Sequence, residues 1–195
     1  MSEASERLDA SEKDVDANVS DRASHATRPR HIAWRVGYLV VACGIFIADQ
    51  ISKSWAVARL RTGAIYDIVP NFLSLAYAEN TGIAFGQFQN GGNTGRYILI
   101  ALAVIAAVGV MIYFVRTARN DDRVLGACAL LVSGILGNVT DRVRFGFVID
   151  FIDVHFRGYH YPTFNIADMS ICIGAGLLFI DAFLSAKNEK KKPEV

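Results

Sequence analysis

Two aspartates in the C-terminal third of the chain, Asp150 and Asp168, have the surroundings best suited to chemistry. Asp150 lies in the stretch VIDFIDVHF (148–156), whose β-branched and aromatic residues predict a strand. On such a strand Asp150 shares a face with apolar residues while Asp153 points the other way, and burial of that kind raises a carboxyl pKa. Asp168 follows Asn165 by three residues at the start of an apolar run. This spacing is typical of a capped helix N-terminus, where the helix dipole favours an ionised carboxylate.

One ionised and one protonated carboxyl group can act as base and acid in the hydrolysis of a peptide near neutral pH. The two groups titrate jointly, so neither role belongs permanently to one residue. The sequence has no H-E-x-x-H zinc motif and no serine or cysteine nucleophile motif. The residue types therefore favour an aspartic hydrolase, with Asp150 as the more protonated member of the pair and Asp168 as the ionised one.

A metal-dependent hydrolase is the first alternative. Five residues carry ligand groups for a divalent ion, but their spacing is not diagnostic: Asp150, Asp153, His155, His160 and Asp168. The three cysteines lack a C-x-x-C spacing and are interpreted as packing residues. We therefore expect no metal and no other cofactor, and inhibition by a chelator would favour the alternative.

More polar groups border the apolar runs. Asp49 and Lys53 are four residues apart and can pair on one helix face, so we assign them to bracing. Asn138 likewise shares a helix face with Asp141 and Arg142. Ionisable groups at membrane depth are costly unless they are paired or face a wet cavity. The position of these groups at one depth in the membrane therefore predicts a functional site.

Four apolar runs must position these groups. The length of each run is close to the about 20 residues that a membrane-spanning helix needs. They cover residues 34–52, 97–115, 124–140 and 166–186. The chain of 195 residues is 52% hydrophobic with a mean hydropathy of +0.29, which is high for a soluble protein. The predicted fold class is a mainly α membrane protein with four transmembrane helices in a bundle.

Charged segments flank this domain. Residues 1–30 have little large apolar material and predict a disordered tail, residues 31–187 form the four-span domain, and residues 188–195 form a basic tail. Arginines in the 116–123 connector and the terminal lysines place both termini in the cytoplasm and the polar cluster at the outer face. The net charge of +1, spread along the chain, gives no reason to expect a nucleic-acid partner.

A small membrane transporter or channel subunit with a polar outer vestibule is the second alternative, because intramembrane Asp, Lys and Arg residues also line ion paths. Against it, the polar groups gather at one face, and Asp181 alone continues a path towards the inner end of the fourth run. A substrate flux in liposomes that is abolished by changing Asp49 or Asp181 would support this alternative.

Five short blocks resemble, in order, the motifs of the lipoprotein signal peptidases, also called signal peptidase II. The blocks are DQISK (49–53), ENTGIAFG (79–86), GNVTDR (137–142), VIDF (148–151) and FNIAD (164–168). The resemblance runs from about residue 34 to residue 186. Five blocks in the right order on a four-span chain make it highly specific.

This family consists of bacterial inner-membrane aspartic endopeptidases. They cleave the signal peptide from diacylglyceryl-modified prolipoproteins just before the lipidated cysteine. The resemblance implies that Asp150 and Asp168 are the catalytic pair and that Asp49 and Lys53 are the bracing pair. It implies a supporting role in the site for six further residues: Asn80, Gly82, Asn138, Asp141, Arg142 and Asn165.

The family fold adds a small extracytoplasmic β-cradle and a short surface helix to the bundle. These elements would lie within residues 60–96 and 142–165 of this chain. Residues 72–77 alternate weakly like a strand and lead into a turn at 80–82, which predicts a cradle wall, and residues 89–93 predict a mobile loop. The implied partners are prolipoproteins and membrane lipid, and we expect the enzyme to work as a monomer.

Overall fold

The computed structural model describes residues 28–82, 92–118 and 121–189, which form four helices and four strands. The helices are α1 (Arg28–Leu60), α2 (Gly92–Arg116), α3 (Asp122–Phe145) and α4 (Ile166–Glu189). The strands are β1 (Tyr66–Val69), β2 (Leu73–Asn80), β3 (Val148–Phe156) and β4 (Tyr159–His160). Tyr38–Val195 forms one compact unit, which holds α1 from its eleventh residue and every later element.

All four helices contain a segment long and apolar enough to cross a membrane. These segments are Trp34–Leu60, Thr94–Arg116, Asp122–Phe145 and Ile166–Lys187. The predicted fold class, a mainly α membrane protein with four spanning helices and a small sheet, is thereby confirmed. The described residues contain no fifth helix that would match the short surface helix. Residues 83–91, which belong to one range where it was expected, lie outside the described residues, as does most of the 89–93 loop.

Helices α1 and α3 continue past the ends expected for the first and third apolar runs, at 52 and 140. The apolar run stops where polar residues begin, but residues 53–60 remain helical because Ala56 and Leu60 bury their side chains. Lys53 and Asn138 each lie seven residues before the last residue of their helix. These two side chains therefore lie about 10 Å inside the helix ends rather than at them.

Helix α3 is the central helix of the described bundle. In the most apolar 18-residue stretch of α3, 72% is buried, against 17%, 11% and 11% in the corresponding stretches of α1, α2 and α4, whose apolar side chains are mostly exposed. Helix α3 packs against both α2 and α4. Glycines permit the close approach to α4, because a Cβ on Gly134 would collide with the carbonyl oxygen of Ala167.

The C-terminus of α3 turns the chain directly into the sheet. Gly146 follows the helix with a φ of 91°, in the left-handed region, and its N–H donates to the carbonyl of Arg142 at 3.1 Å. Arg96 of α2 also donates to the carbonyl of Val143 at 2.8 Å. These bonds satisfy carbonyls that the helix end leaves unpaired, so β3 starts close to the polar part of α3.

The four strands form one antiparallel sheet in the order β1-β2-β3-β4. Stretch 148–156 is extended, as its composition predicts. Ile149 and Phe151 of β3 pack with Ala56 and Leu60 of α1 in a buried apolar cluster. Because side chains alternate along a strand, this packing leaves Asp150 on the other face of the sheet.

A β-bulge interrupts the pairing of β2 with β3. Leu75 pairs with Ile152 and Ala78 pairs with Asp150, so two residues of β2 oppose the single residue Phe151. An extra residue shifts every following side chain of β2 to the opposite face. The bulge lies immediately before the residues of β2 that approach Asp150.

Candidate active site

A buried ion cluster lies at the base of the site. Lys53, which is 1% exposed, places its Nζ atom 2.9 Å from Oδ2 of Asp49 and 3.0 Å from Oδ2 of Asp141. The same Nζ donates to Oδ1 of Asn138 at 3.1 Å. A buried charge is costly unless it is paired, and here each of the three ammonium donors has an acceptor. The pairing of Asp49 with Lys53 expected from their spacing is present, and Asp141 joins it.

The same carboxylates hold the starts of two other elements. Oδ1 of Asp49 accepts a hydrogen bond from the backbone N–H of Ala167, in the first turn of α4, at 2.9 Å. Oδ2 of Asp141 accepts one from the backbone N–H of Ile149, at the start of β3, at 3.1 Å. The ion cluster therefore fixes α4 and β3 relative to α1 and α3.

Sequence reasoning placed Gln50 at this level but gave it no role. Its side-chain amide contacts Oδ2 of Asp49 at 3.1 Å, Oδ1 of Asp141 at 3.3 Å and the carbonyl of Gly137 at 3.3 Å. Gly137 is required beside this cluster, because a Cβ there would lie 2.6 Å from Oδ2 of Asp49. The Gly-Asn pair in the GNVTDR block was the available signal for this close approach.

Two asparagines connect Asp150 to Asp168. The Asn165 side-chain amide donates to Oδ1 of Asp150 at 2.7 Å and contacts Oδ1 of Asn138 at 3.2 Å. The Asn138 amide in turn donates to Oδ1 of Asp168 at 2.7 Å. A continuous path of side-chain hydrogen bonds thus runs from Asp150 through Asn165 and Asn138 to Asp168.

Asn165 and Asp168 also form the reciprocal helix cap that their spacing predicts. The backbone N–H of Asp168 donates to Oδ1 of Asn165 at 2.9 Å, and the backbone N–H of Asn165 donates to Oδ2 of Asp168 at 3.2 Å. Asp168 is half-buried in the first turn of α4. Its carboxyl group therefore has a fixed orientation at the positive end of the helix dipole.

Asp150 is 1% exposed, and its second oxygen, Oδ2, accepts a hydrogen bond from Asn80 at 3.1 Å. Burial, and after it the charge of Asp168, raise the pKa of Asp150 to about 7 against the opposing effect of the two asparagine hydrogen bonds. Asp153, on the opposite face of β3, is 8% exposed and thus buried too. The two differ in their partners, which are amides around Asp150 and imidazoles around Asp153.

The bulge in β2 brings Asn80 to Asp150. Ala78 pairs with Asp150, and Asn80 lies two residues further on the same face. Oδ1 of Asn80 then accepts from the backbone N–H of Gly82 at 3.1 Å, which forms the expected turn. Arg142 donates to the carbonyl of Gly82 at 3.3 Å and ties this turn to α3.

A cavity of about 480 Å³ opens beside the pair. Asp168, Arg142, Asn80 and Gly82 belong to its wall, while Asp150 lies behind them. The rest of the wall comes from the segment before α4 and from its first two turns: Tyr161, Pro162, Thr163, Phe164, Met169 and Cys172. Sequence reasoning gave none of them a place in the site, although Phe164 belongs to the FNIAD block and the others lie close to it in sequence. The structure therefore brings all ten sequence-predicted site residues into one hydrogen-bonded region, with an open cavity at the carboxylates.

The five residues weighed as a metal site do not form one group. Asp153, His155 and His160 place one ligand atom each within 4.8 Å of one another. Asp150 and Asp168 belong to the asparagine-linked pair instead. The physical reason is strand alternation, which directs Asp153 and Asp150 to opposite faces of β3.

Residues 41–184 match the family model described as "Signal peptidase (SPase) II". The chain is 36% identical over 151 residues to the lipoprotein signal peptidase of Shewanella piezotolerans, covering 77% of this chain and 88% of that one. It is 42% identical over 144 residues to the lipoprotein signal peptidase of Syntrophotalea carbinolica, covering 73% and 88%.

A solved structure of a bacterial membrane enzyme, determined by the in meso method at 2.3 Å resolution, superposes with a TM-score of 0.69. It is 32% identical and covers 82% of this chain and 94% of its own. A second, determined by the same method at 1.9 Å resolution, gives a TM-score of 0.66 at 31% identity, over 75% and 92%. Since the family model spans most of the chain and the relatives agree over more than two thirds of it, this multi-pass membrane protein belongs to the signal peptidase II family.

Proposed function

We propose that the protein is an aspartic endopeptidase of the bacterial inner membrane. Its substrates are diacylglyceryl-modified prolipoproteins, which it cleaves just before the lipidated cysteine. The observation that carries this proposal is the hydrogen-bonded path from Asp150 through Asn165 and Asn138 to Asp168, beside an open cavity. The names of its relatives, lipoprotein signal peptidases, support the substrate class.

In the proposed reaction Asp168 is the base and Asp150 is the acid. Asp168 takes a proton from a water molecule, whose oxygen adds to the scissile carbonyl carbon. Asp150 gives its proton to the carbonyl oxygen as negative charge develops there. The tetrahedral intermediate then collapses, the amine nitrogen leaves with the proton held by Asp168, and Asp150 recovers its own proton from the intermediate.

The environments of the two carboxyl groups support this division of roles. The pKa of Asp150, raised by burial to about 7, keeps a proton available near neutral pH. Asp168 has its carboxylate at a helix start, where N–H groups of Asn138 and Asn165 donate to it. Because these asparagines are themselves held by Lys53 and by the α4 cap, the carboxylates need little rearrangement during the reaction.

The depth of the site suits a lipidated substrate. Lys53 and Asn138 lie about 10 Å inside the ends of α1 and α3, where a polar peptide bond can meet water while acyl chains stay in lipid. The aromatic and apolar side of the cavity, with Tyr161, Phe164 and Met169, would contact the apolar parts of the substrate.

Orientation and domain bounds complete the proposal. Arginines of the 116–123 connector favour the cytoplasmic side, which puts both termini there and the site at the outer, periplasmic face. Residues 31–187 form the peptidase domain, between a cytoplasmic tail at 1–30 and a basic tail at 188–195. We also propose that the enzyme works as a monomer.

The decisive experiment is a gel-shift assay of cleavage of diacylglyceryl-modified prolipoprotein in detergent or bilayers. Asp150→Asn and Asp168→Asn should each lower the rate by about 10²- to 10⁴-fold, the range of acid–base catalysis. Asp67→Asn is the matched control, because Asp67 is an exposed carboxylate on β1 that contacts Ser74 rather than the site. EDTA should leave the wild-type rate unchanged.

The outcomes separate the hypotheses. Cleavage at a normal rate by either aspartate variant contradicts the aspartic pair, and loss of wild-type activity in EDTA favours a metal-dependent hydrolase. If the protein cleaves no prolipoprotein and instead shows a substrate flux in liposomes that depends on Asp49 or Asp181, it would be a transporter. Asp181 lies 3.5 Å from Arg123, so an ion pair accounts for its position without a transport path.

A further inference from the structure

The hairpin of β3 and β4 carries a cluster of ligand-type side chains that the proposed reaction does not use. Asp153 and His155 are two residues apart on β3 and share a face, and His155 pairs with His160 across the hairpin. The connecting residues Arg157 and Gly158 have φ values of 51° and 84°, which suit a tight two-residue turn. The turn therefore holds three side chains on one short, locally closed unit.

The distances within this cluster are close to those around a bound ion. Nδ1 of His160 lies 2.9 Å from Oδ2 of Asp153, and Nδ1 of His155 lies 3.6 Å from the same oxygen. The two imidazole rings stack with centroids 4.8 Å apart and an interplanar angle of 23°. Ligand atoms around a tetrahedral Zn²⁺ ion are about 3.3 Å apart, given bond lengths of about 2.0–2.1 Å. One ligand atom of each residue lies within 4.8 Å of the other two, so the three side chains are near these separations before any ion binds.

His155 supplies an independent observation. Its Nδ1 atom is buried and has no hydrogen-bond partner. The 3.6 Å separation from Asp153 is too long for a hydrogen bond. A pair between Asp153 and His160 alone would explain those two residues but would leave this buried nitrogen unsatisfied. A cation between the three groups would satisfy it.

We propose that Asp153, His155 and His160 bind a divalent transition-metal ion, with Zn²⁺ as the best match. Two imidazole nitrogens and one carboxylate are the donor set of such ions, whereas Mg²⁺ and Ca²⁺ prefer oxygen ligands. Three protein ligands leave a fourth position for water. Asp153 points away from the face of β3 that carries Asp150, so the ion takes no part in the proposed cleavage. The proposal of a metal site therefore does not depend on the proposed peptidase function.

The ion would link the two strands of the β3–β4 hairpin. Its ligands come from both sides of the turn, and the chain leaves β4 directly into residues 161–164, which form one wall of the cavity. Binding to the folded hairpin but not to a locally opened one stabilises the closed form. The ion would therefore order the segment that leads into this wall.

The test uses the full-length protein in detergent, without a polyhistidine tag and stripped of metal with EDTA. Calorimetric titration with ZnCl₂ should show one ion per chain, and Co²⁺ should give the absorption of a site with nitrogen ligands. His155→Gln and His160→Gln should each weaken binding by at least tenfold. The control is the double variant His25→Ala/His31→Ala, which removes the chain's other two histidines and should bind as the wild type does.

Hydrogen exchange gives a second readout that a merely structural role of the histidines would not produce. In the wild type, the backbone amides of residues 155–160 should exchange more slowly after Zn²⁺ is added. In His155→Gln, Zn²⁺ should leave their exchange rates unchanged. Matching thermal unfolding of wild type and variants in EDTA would show that the variants fold. Wild-type affinity in both glutamine variants, or loss of binding in the His25/His31 variant, would overturn the proposal.

Discussion

The side-chain amide of Asn165 donates a 2.7 Å hydrogen bond to Oδ1 of Asp150, while its side-chain oxygen caps the first turn of α4. One residue thus joins the carboxyl group on the strand to the helix that carries Asp168. The two functions of Asn165 can be separated by substitution, because capping needs the oxygen and the bridge needs the amide.

Asn165→Ser should retain a capping oxygen but lose the amide that bridges to Asp150. We expect the cleavage rate to fall at least tenfold, and stability to fall as well, because the same buried amide also contacts the oxygens of Asn138 and Ile149. Asn165→Ala should lose the cap as well, at a cost of about 0.5–2 kcal/mol. Cleavage assays and thermal unfolding in detergent measure the two effects. Wild-type activity in Asn165→Ser would show that the bridge does not position Asp150.

Asp150 should make stability depend on pH. Its folded-state pKa of about 7 lies above the ordinary value of 3.8, so the folded state binds the proton more tightly than the unfolded state does. This contribution is fully present below about pH 4 and is lost as pH rises through 7, with a size of about 4 kcal/mol. Asp150→Asn does not titrate, so its stability relative to wild type should rise between pH 5 and pH 8. A difference that stays constant over this range in denaturant unfolding would contradict the raised pKa.

The charge of Asp168 also raises the pKa of Asp150. Asp168→Asn should therefore lower the pKa of Asp150, although burial still keeps it above its ordinary range. Infrared titration of the carboxyl stretch in protein with labelled aspartate measures this shift, with Asp67→Asn as the control. An unchanged titration in Asp168→Asn would mean that the two carboxyl groups do not interact.

Lys53→Met should destabilise the protein strongly, because it leaves Asp49 and Asp141 buried without their shared ammonium group. Removing one partner of a buried pair typically costs about 3–5 kcal/mol. Adding Asp49→Asn to Lys53→Met should recover part of this loss, since the amide oxygen still accepts from Ala167. Equal unfolding midpoints of Lys53→Met and wild type would contradict the bracing role.

The register of β2 should be required for activity, because it turns Asn80, which donates to Oδ2 of Asp150 at 3.1 Å, to the same face as that carboxyl group. Asn80→Ala removes this donor, and we expect the cleavage rate to fall at least tenfold. Glu79→Gln is the control and should remain active, because Glu79 points to the opposite face of the sheet. Normal cleavage by Asn80→Ala would show that this hydrogen bond does not contribute to the reaction.

Features governed by local spacing could be predicted from the sequence. The pair of Asp49 and Lys53 and the cap formed by Asn165 and Asp168 follow from helix periodicity. The strand at 148–156 follows from its residue types. In each case the contact lies within one turn or one strand, so few other conformations compete with it.

Contacts that depend on packing could not be predicted in this way. The bond from Asn138 to Asp168 spans 30 residues, and that from Ala167 to Asp49 spans 118, so both require the helices to be assembled. The bulge has no clear signal, because Ala76 and Tyr77 are ordinary strand residues. The end of α1 at Leu60 was missed because hydropathy falls before helical hydrogen bonding stops.

The asparagine link also has a consequence for biosynthesis at the membrane. A nascent chain that has inserted α1 to α3 and made β3 already contains Asp49, Lys53, Asn138 and Asp150, but Asn165 and Asp168 arrive only with α4. Without α4, Asp150 has neither its amide bridge nor its partner carboxylate. Under the proposed mechanism an unfinished chain therefore cannot cleave a peptide bond, and the site is complete only after α4 has inserted.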